Sequence, residues 1–78
     1  MKVSKKRKVC IGSKYKHFKG YLVRVLCIAS HTETEEDLVV YRNEETNKIY
    51  ARPLNMFISE VDKEKYPNAT QKYRFEKV

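Results

Sequence analysis

Apolar residues in this chain come in short runs separated by polar turns, and no stretch is long enough at helical spacing to make an amphipathic helix. Tyr15-Lys-His17-Phe18 is a short predicted strand, closed by a turn at Lys19-Gly20. Tyr21–Thr32 is rich in Val, Leu and Ile and is apolar on both parities, the pattern of a long, curved barrel strand. Glu33–Asp37 is an acidic turn, Leu38–Asn43 a third strand, Glu44–Asn47 a hairpin loop and Lys48–Arg52 a fourth strand. Pro53 has no N–H for a ladder and ends that strand. Leu54–Phe57 is predicted as one helical turn that drops Met56 and Phe57 onto the core. Ile58–Val61 reads as a brief strand, Asp62–Gln71 as a polar loop around Pro67-Asn68, and Lys72–Val78 alternates as a last strand. Five to six short strands with one helical turn predict an all-β fold, a small barrel.

Loop lengths suggest strand registers. Closing the third and fourth strands on Glu44–Asn47 pairs Asn43 with Lys48, Tyr41 with Tyr50 and Val39 with Arg52. Closing the second and third strands about Glu36 puts His31 opposite Tyr41 and Glu33 opposite Val39. On that face the second strand carries Val23, Val25, Cys27 and Ala29, which look like core. The expectation is an apolar barrel interior whose open end is polar, formed by His31, Glu33, Tyr41, Tyr50 and Arg52, with Thr34 beside them. A one-residue slip would turn these groups onto different faces. Polar groups where a core strand gives out are either a structural latch or a site.

With 78 residues the chain is at most one domain. A chain this short buries only about 60–65% of its unfolded surface, so a cleft or barrel mouth is more plausible than a deep enclosed site. The formal charge of +7 is unevenly placed. Residues 1–24 hold nine basic side chains and no acidic one, and five of the nine lie in Lys2–Lys8. The high pI is therefore largely a property of residues 1–9, read as a flexible basic arm before a single barrel domain over 10–78. A basic start without an apolar run after it does not read as a signal peptide, and the longest apolar run, Val25–Ala29, is far short of a membrane span. Cytoplasmic location with reduced thiols is the default for Cys10 and Cys27, with Cys27 a small core residue and Cys10 the more exposed.

Three kinds of chemistry bear on these residues. The spacing Cys10-x6-His17-x9-Cys27-x3-His31 does not suit a metal, because Cys27 and His31 on one strand are about 13 Å apart at roughly 3.3 Å per residue. No metal and no cofactor is expected. His31 with Glu33 suits a base and its orienting carboxylate, with Arg52 holding an anion, yet no nucleophile elbow or other catalytic motif accompanies them. An enzyme is the less favoured reading. Tyr15, Phe18 and Tyr21 interleave with Lys14, Lys16, Lys19 and Arg24, and with the arm cluster Lys5, Lys6, Arg7 and Lys8 they offer a surface for nucleic acid, RNA in particular. The plainer alternative is that the aromatics are core and the lysines a solvated face.

Several linked motifs, in order, carry a resemblance. They are Gly12-x-x-Tyr15-x-His17-Phe18-Lys19-Gly20, Val25-Leu26-x-x-Ala29-x-His31-x-Glu33-Thr34, Val39-Val40-Tyr41-Arg42, Tyr50-x-Arg52-Pro53-Leu54-x-Met56-Phe57 and Arg74-Phe75. Over residues 12–76 they resemble the bacterial domain-of-unknown-function family numbered 1653. The resemblance implies a small SH3-like β-barrel and no established activity. The chain departs from the family pattern in its basic arm, in Tyr50 where Trp is usual, and in Thr32 where Ser is usual. The expected function is a binding module for protein or peptide, using His31, Glu33, Thr34, Tyr41, Tyr50 and Arg52. The alternatives are nucleic-acid binding through the arm and first strand, and an enzyme or anion site at His31, Glu33 and Arg52. No membrane role is expected, and the chain is expected to be a monomer or a dimer through its edge strands.

Overall fold

The computed structural model describes residues 8–78. Five strands form one antiparallel sheet, with a single helical turn: β1 (Lys14–His17), β2 (Leu22–Ser30), β3 (Asp37–Asn43), β4 (Ile49–Pro53), α1 (Leu54–Phe57) and β5 (Phe75–Lys77). The strand order is β4-β3-β2-β1-β5, so the chain ends by returning beside its first strand. The fold is all-β, as the pattern predicts. Of the expected arm, residues 1–7 lie outside the described residues, and Val9 packs against the core.

β1 and β3 follow from their alternation. β1 buries Tyr15 and His17 and exposes Lys14 and Lys16. Gly20, at φ 108°, supplies the left-handed backbone that turns β1 into β2, and its N–H donates to the His17 carbonyl at 2.8 Å. β2 buries Val23 and Val25, β3 buries Val39 and Tyr41, and β5 buries Phe75. The β3–β4 hairpin closes as expected, with Tyr41 opposite Tyr50 and Val39 opposite Arg52. Asn43 fixes that loop: its Oδ1 accepts the amides of Glu45 at 2.8 Å and Thr46 at 3.0 Å.

The β2–β3 register differs from the expectation. Tyr41 faces Val25, not His31, and Val39 faces Ile28, not Glu33. Two physical causes combine. A bulge between Val25 and Cys27 adds Leu26 to β2. The connecting turn then runs from His31 to Glu36, closed by His31 N–H to Glu36 C=O at 2.9 Å, rather than being centred on Glu36. The bulge reverses the side-chain parity of β2, so Cys27 and Ala29 leave the core face, and Cys27 is exposed rather than a core residue.

Two further differences are local. The helical turn lies where the sequence puts it, but Met56 is 46% exposed. Leu54, Phe57 and Ile58, spaced three and four apart on one helical face, pack inward instead. Ile58–Val61 forms only a single bridge, Glu60 to Tyr73, and the final strand is confined to Phe75–Lys77.

The core is an aromatic cluster. Phe57 stacks face to face on Phe75 at 4.2 Å and receives Tyr15 edge-on at 5.4 Å. Tyr41 reaches both phenylalanines, at 5.7 and 5.5 Å. Phe75 of β5 thus touches Tyr41 of β3, and the Arg52 guanidinium of β4 lies 5.7 Å from its ring centre. The sheet is curled until its two edge strands meet over one phenylalanine. Phe57→Ala is expected to cost about 3–5 kcal/mol, while Met56→Ala stays within about 0.5 kcal/mol. Urea denaturation of the two variants checks this, and equal losses would show that the stack does not organise the core.

Candidate binding site

At one end of the curled sheet, Tyr21, Tyr41, Asn43, Tyr50 and Arg52 line an open cavity of about 320 Å³. Tyr21 enters from the turn before β2, Tyr41 and Asn43 from β3, and Tyr50 and Arg52 from β4. The Tyr41 and Tyr50 rings lie 5.8 Å apart across the ladder. Tyr41 is buried, while Tyr50 is 44% exposed at the rim. Arg52 Nε donates to the Tyr41 hydroxyl at 3.5 Å, and its guanidinium covers the Phe75 face. Three of the expected site residues, Tyr41, Tyr50 and Arg52, are therefore brought together.

His31, Glu33 and Thr34 are not with them. They form a self-contained turn at the far end of the β2–β3 hairpin. His31 Nδ1 accepts the Glu33 amide at 3.0 Å and the Thr34 amide at 3.3 Å, while the Thr34 hydroxyl donates to Glu36 Oε1 at 3.2 Å. This turn holds Glu35 at φ 62°, a left-handed backbone unusual outside glycine, and the histidine cap accounts for its persistence. The expected convergence of His31 and Glu33 with Arg52 fails because the bulge and the earlier turn carry them away.

The residue that sequence reasoning missed is His17. It is 4% exposed and lies beneath the cavity wall. Its ring stacks flat on Tyr21 at 4.4 Å and meets Phe75 edge-on at 4.8 Å. Its Nδ1 accepts the Lys19 amide at 3.1 Å, which leaves the ring proton on Nε2. Burial, and then the positive charges of Arg52, Lys19 and Arg74, lower its pKa from 6.5 to about 4. A neutral imidazole is what a site between three cations requires. Burial also raises the Tyr21 phenol above 10.0, with neighbouring Tyr41 adding to the effect, so its hydroxyl stays protonated and can donate. In the sequence His17 reads as part of a short strand closed at Lys19-Gly20, and Tyr21 as the start of the next apolar run. Nothing in the sequence shows that they stack.

The basic residues divide differently. Lys14 and Lys16 sit on the outer face of β1, opposite in parity to buried Tyr15 and His17. Lys16 pairs across the ladder with Glu76. Lys19 leaves that face, its Nζ lying 5.9 and 5.3 Å from the ring centres of Phe18 and Tyr66, at a second cavity of about 330 Å³ lined also by Lys65 and Pro67. Lys8 is exposed, and Lys5, Lys6 and Arg7 lie outside the described residues. Among the described residues, no group of three His, Cys, Asp or Glu side chains is placed to hold a metal, and no helix is long and apolar enough to cross a membrane.

Residues 13–77 match the family described as "Protein of unknown function (DUF1653)". The chain belongs to this family. No curated protein and no solved structure matches it. The DUF1653 match spans the sheet from β1 through β5, so it takes in every residue of the cavity and of the aromatic cluster beneath it.

The pH dependence follows from His17. Its folded pKa lies below its unfolded one, so the unfolded chain binds the proton more readily between pH 6.5 and about 4. Stability from this group is complete above pH 6.5 and falls as the pH drops through that window. The expected loss is on the order of 3 kcal/mol by pH 4. Urea midpoints measured from pH 7 to 5, where few carboxylates titrate, should fall in the wild type and stay flatter in His17→Gln. A His17 resonance that titrates near 6.5 would contradict this.

Proposed function

We propose that this DUF1653 chain is a small non-catalytic binding module, built as an SH3-like barrel, that holds a protein or peptide segment in the Tyr21, Tyr41, Tyr50 and Arg52 cavity. One observation supports it most: an open cavity of about 320 Å³ walled by three tyrosines and one arginine, with Tyr50 standing at the rim. Tyrosine and arginine are the residues that most often anchor protein interfaces, since each gives a large contact area and a polar tip. Concave sites with convergent polar groups are where ligands bind most often. His17 is committed to the Lys19 amide and to ring packing, which suits a rigid floor rather than a general base. The outward direction of Lys14 and Lys16 separates them from the cavity, which favours peptide over nucleic acid as its occupant.

The test is selection of a displayed random-peptide library on the immobilised chain. Peptides should be enriched whose affinity falls about tenfold or more with Tyr50→Ala, an exposed position whose loss leaves the core intact. Their affinity should change little between low and moderate salt. Failure to enrich any peptide that depends on Tyr50, or preferential binding of RNA with a steep salt dependence, would overturn the reading.

A further inference from the structure

We propose that the cavity recognises a carboxylate, with Arg52 taking the anion and the tyrosines enclosing the group that bears it. The proposal rests on the binding role given to the same cavity and names the chemistry its occupant carries.

The strand arginines of this sheet are treated in two ways. Arg24 and Arg42 share Glu44, at 3.7 and 3.2 Å. Arg52 has no such partner: among the described residues no carboxylate lies within 4.0 Å of it. Among the described residues its side chain makes one hydrogen bond, from Nε to the Tyr41 hydroxyl at 3.5 Å, at the outer limit of such bonds. The Phe75 face holds the guanidinium from one side. The two terminal nitrogens, which form the fork that matches a carboxylate bidentately, are left for an occupant. A half-buried cation over an aromatic ring, with no counter-ion and a cavity in front of it, is a ready anion acceptor.

The rest of the lining narrows the anion. Arg52 is the only charged side chain among Tyr21, Tyr41, Asn43, Tyr50 and Arg52. Neutral His17 behind Tyr21 adds no second charge. A single cation balances a monoanion, whereas a phosphate dianion calls for more. Tyr21 and Tyr50 bring further hydroxyl groups, each able to donate, to the same lining. The carboxylate can come from the end of a peptide chain or from an Asp or Glu side chain. The shared chemistry is the same for both, and the probes below tell them apart.

The experiment follows the Arg52 Nε–Hε resonance of the full chain by NMR during titration with N-acetyl-tyrosine against N-acetyl-tyrosinamide, and with N-acetyl-glutamic acid α-amide against N-acetyl-glutamine amide. At least one carboxylate should shift the Arg52 signal saturably and bind about tenfold more tightly than its own amide. Preference in the first pair assigns chain ends, and preference in the second assigns acidic side chains. Arg52→Gln should lower the carboxylate's affinity about tenfold, with Arg52→Lys intermediate. The proposal is overturned if carboxylate and amide act alike in both pairs on the wild-type chain, a comparison that needs no variant to fold. If that happens while selected peptides still require Tyr50, the binding module stands and the carboxylate does not. If a carboxylate is preferred but no Tyr50-dependent peptide is found, the anion site stands and the peptide role falls.

Discussion

Phe75 is the residue on which the rest of this small structure depends. It sits on the last strand, stacked on Phe57 of the helical turn, with the edges of Tyr41 and His17 against it and the Arg52 guanidinium over its face. A five-stranded sheet of such short strands has little apolar area to bury, and a flat one would leave both faces wet. Gathering residues from β1, β3, β4, β5 and α1 around one ring curls the sheet into a core. The fully buried aromatic and valine side chains surround that point.

The same packing makes the candidate site. Because β4 is folded over Phe75, Arg52 is held against an aromatic face rather than free in water. Because His17 is buried between Tyr21 and Phe75, one cavity wall rests on a rigid, neutral ring. The cavity is therefore the open end of the core, and its polar groups lie where the aromatic layer gives out. A ligand there would contact side chains whose positions are fixed by packing, which lowers the ordering cost of binding.

What the sequence made legible divides along physical lines. The β3–β4 hairpin was readable because Asn43 and a short loop set its register locally, so Tyr41, Tyr50 and Arg52 fell on one face as expected. The β2–β3 register was not, because Val25-Leu-Cys-Ile28 is apolar on both parities and a bulge within it leaves no mark on the pattern. That one extra residue, with the early turn at His31, separates His31 and Glu33 from Arg52. The role of His17 was hidden for another reason. It depends on β1 pairing with β5, where His17 meets Phe75 from the opposite end of the chain, and no local pattern encodes that contact.

Arg52 belongs to an aromatic cavity closed over Phe75 and not to a cluster with His31. Proton NMR of the chain in solution tests this most directly. Nuclear Overhauser contacts are expected from the Arg52 side chain to the Phe75 ring and from His17 to Tyr21, with the Arg52 methylene signals moved upfield by the Phe75 ring current. Contacts joining the His31 ring to Tyr41 or Arg52, with none between Arg52 and Phe75, would contradict it.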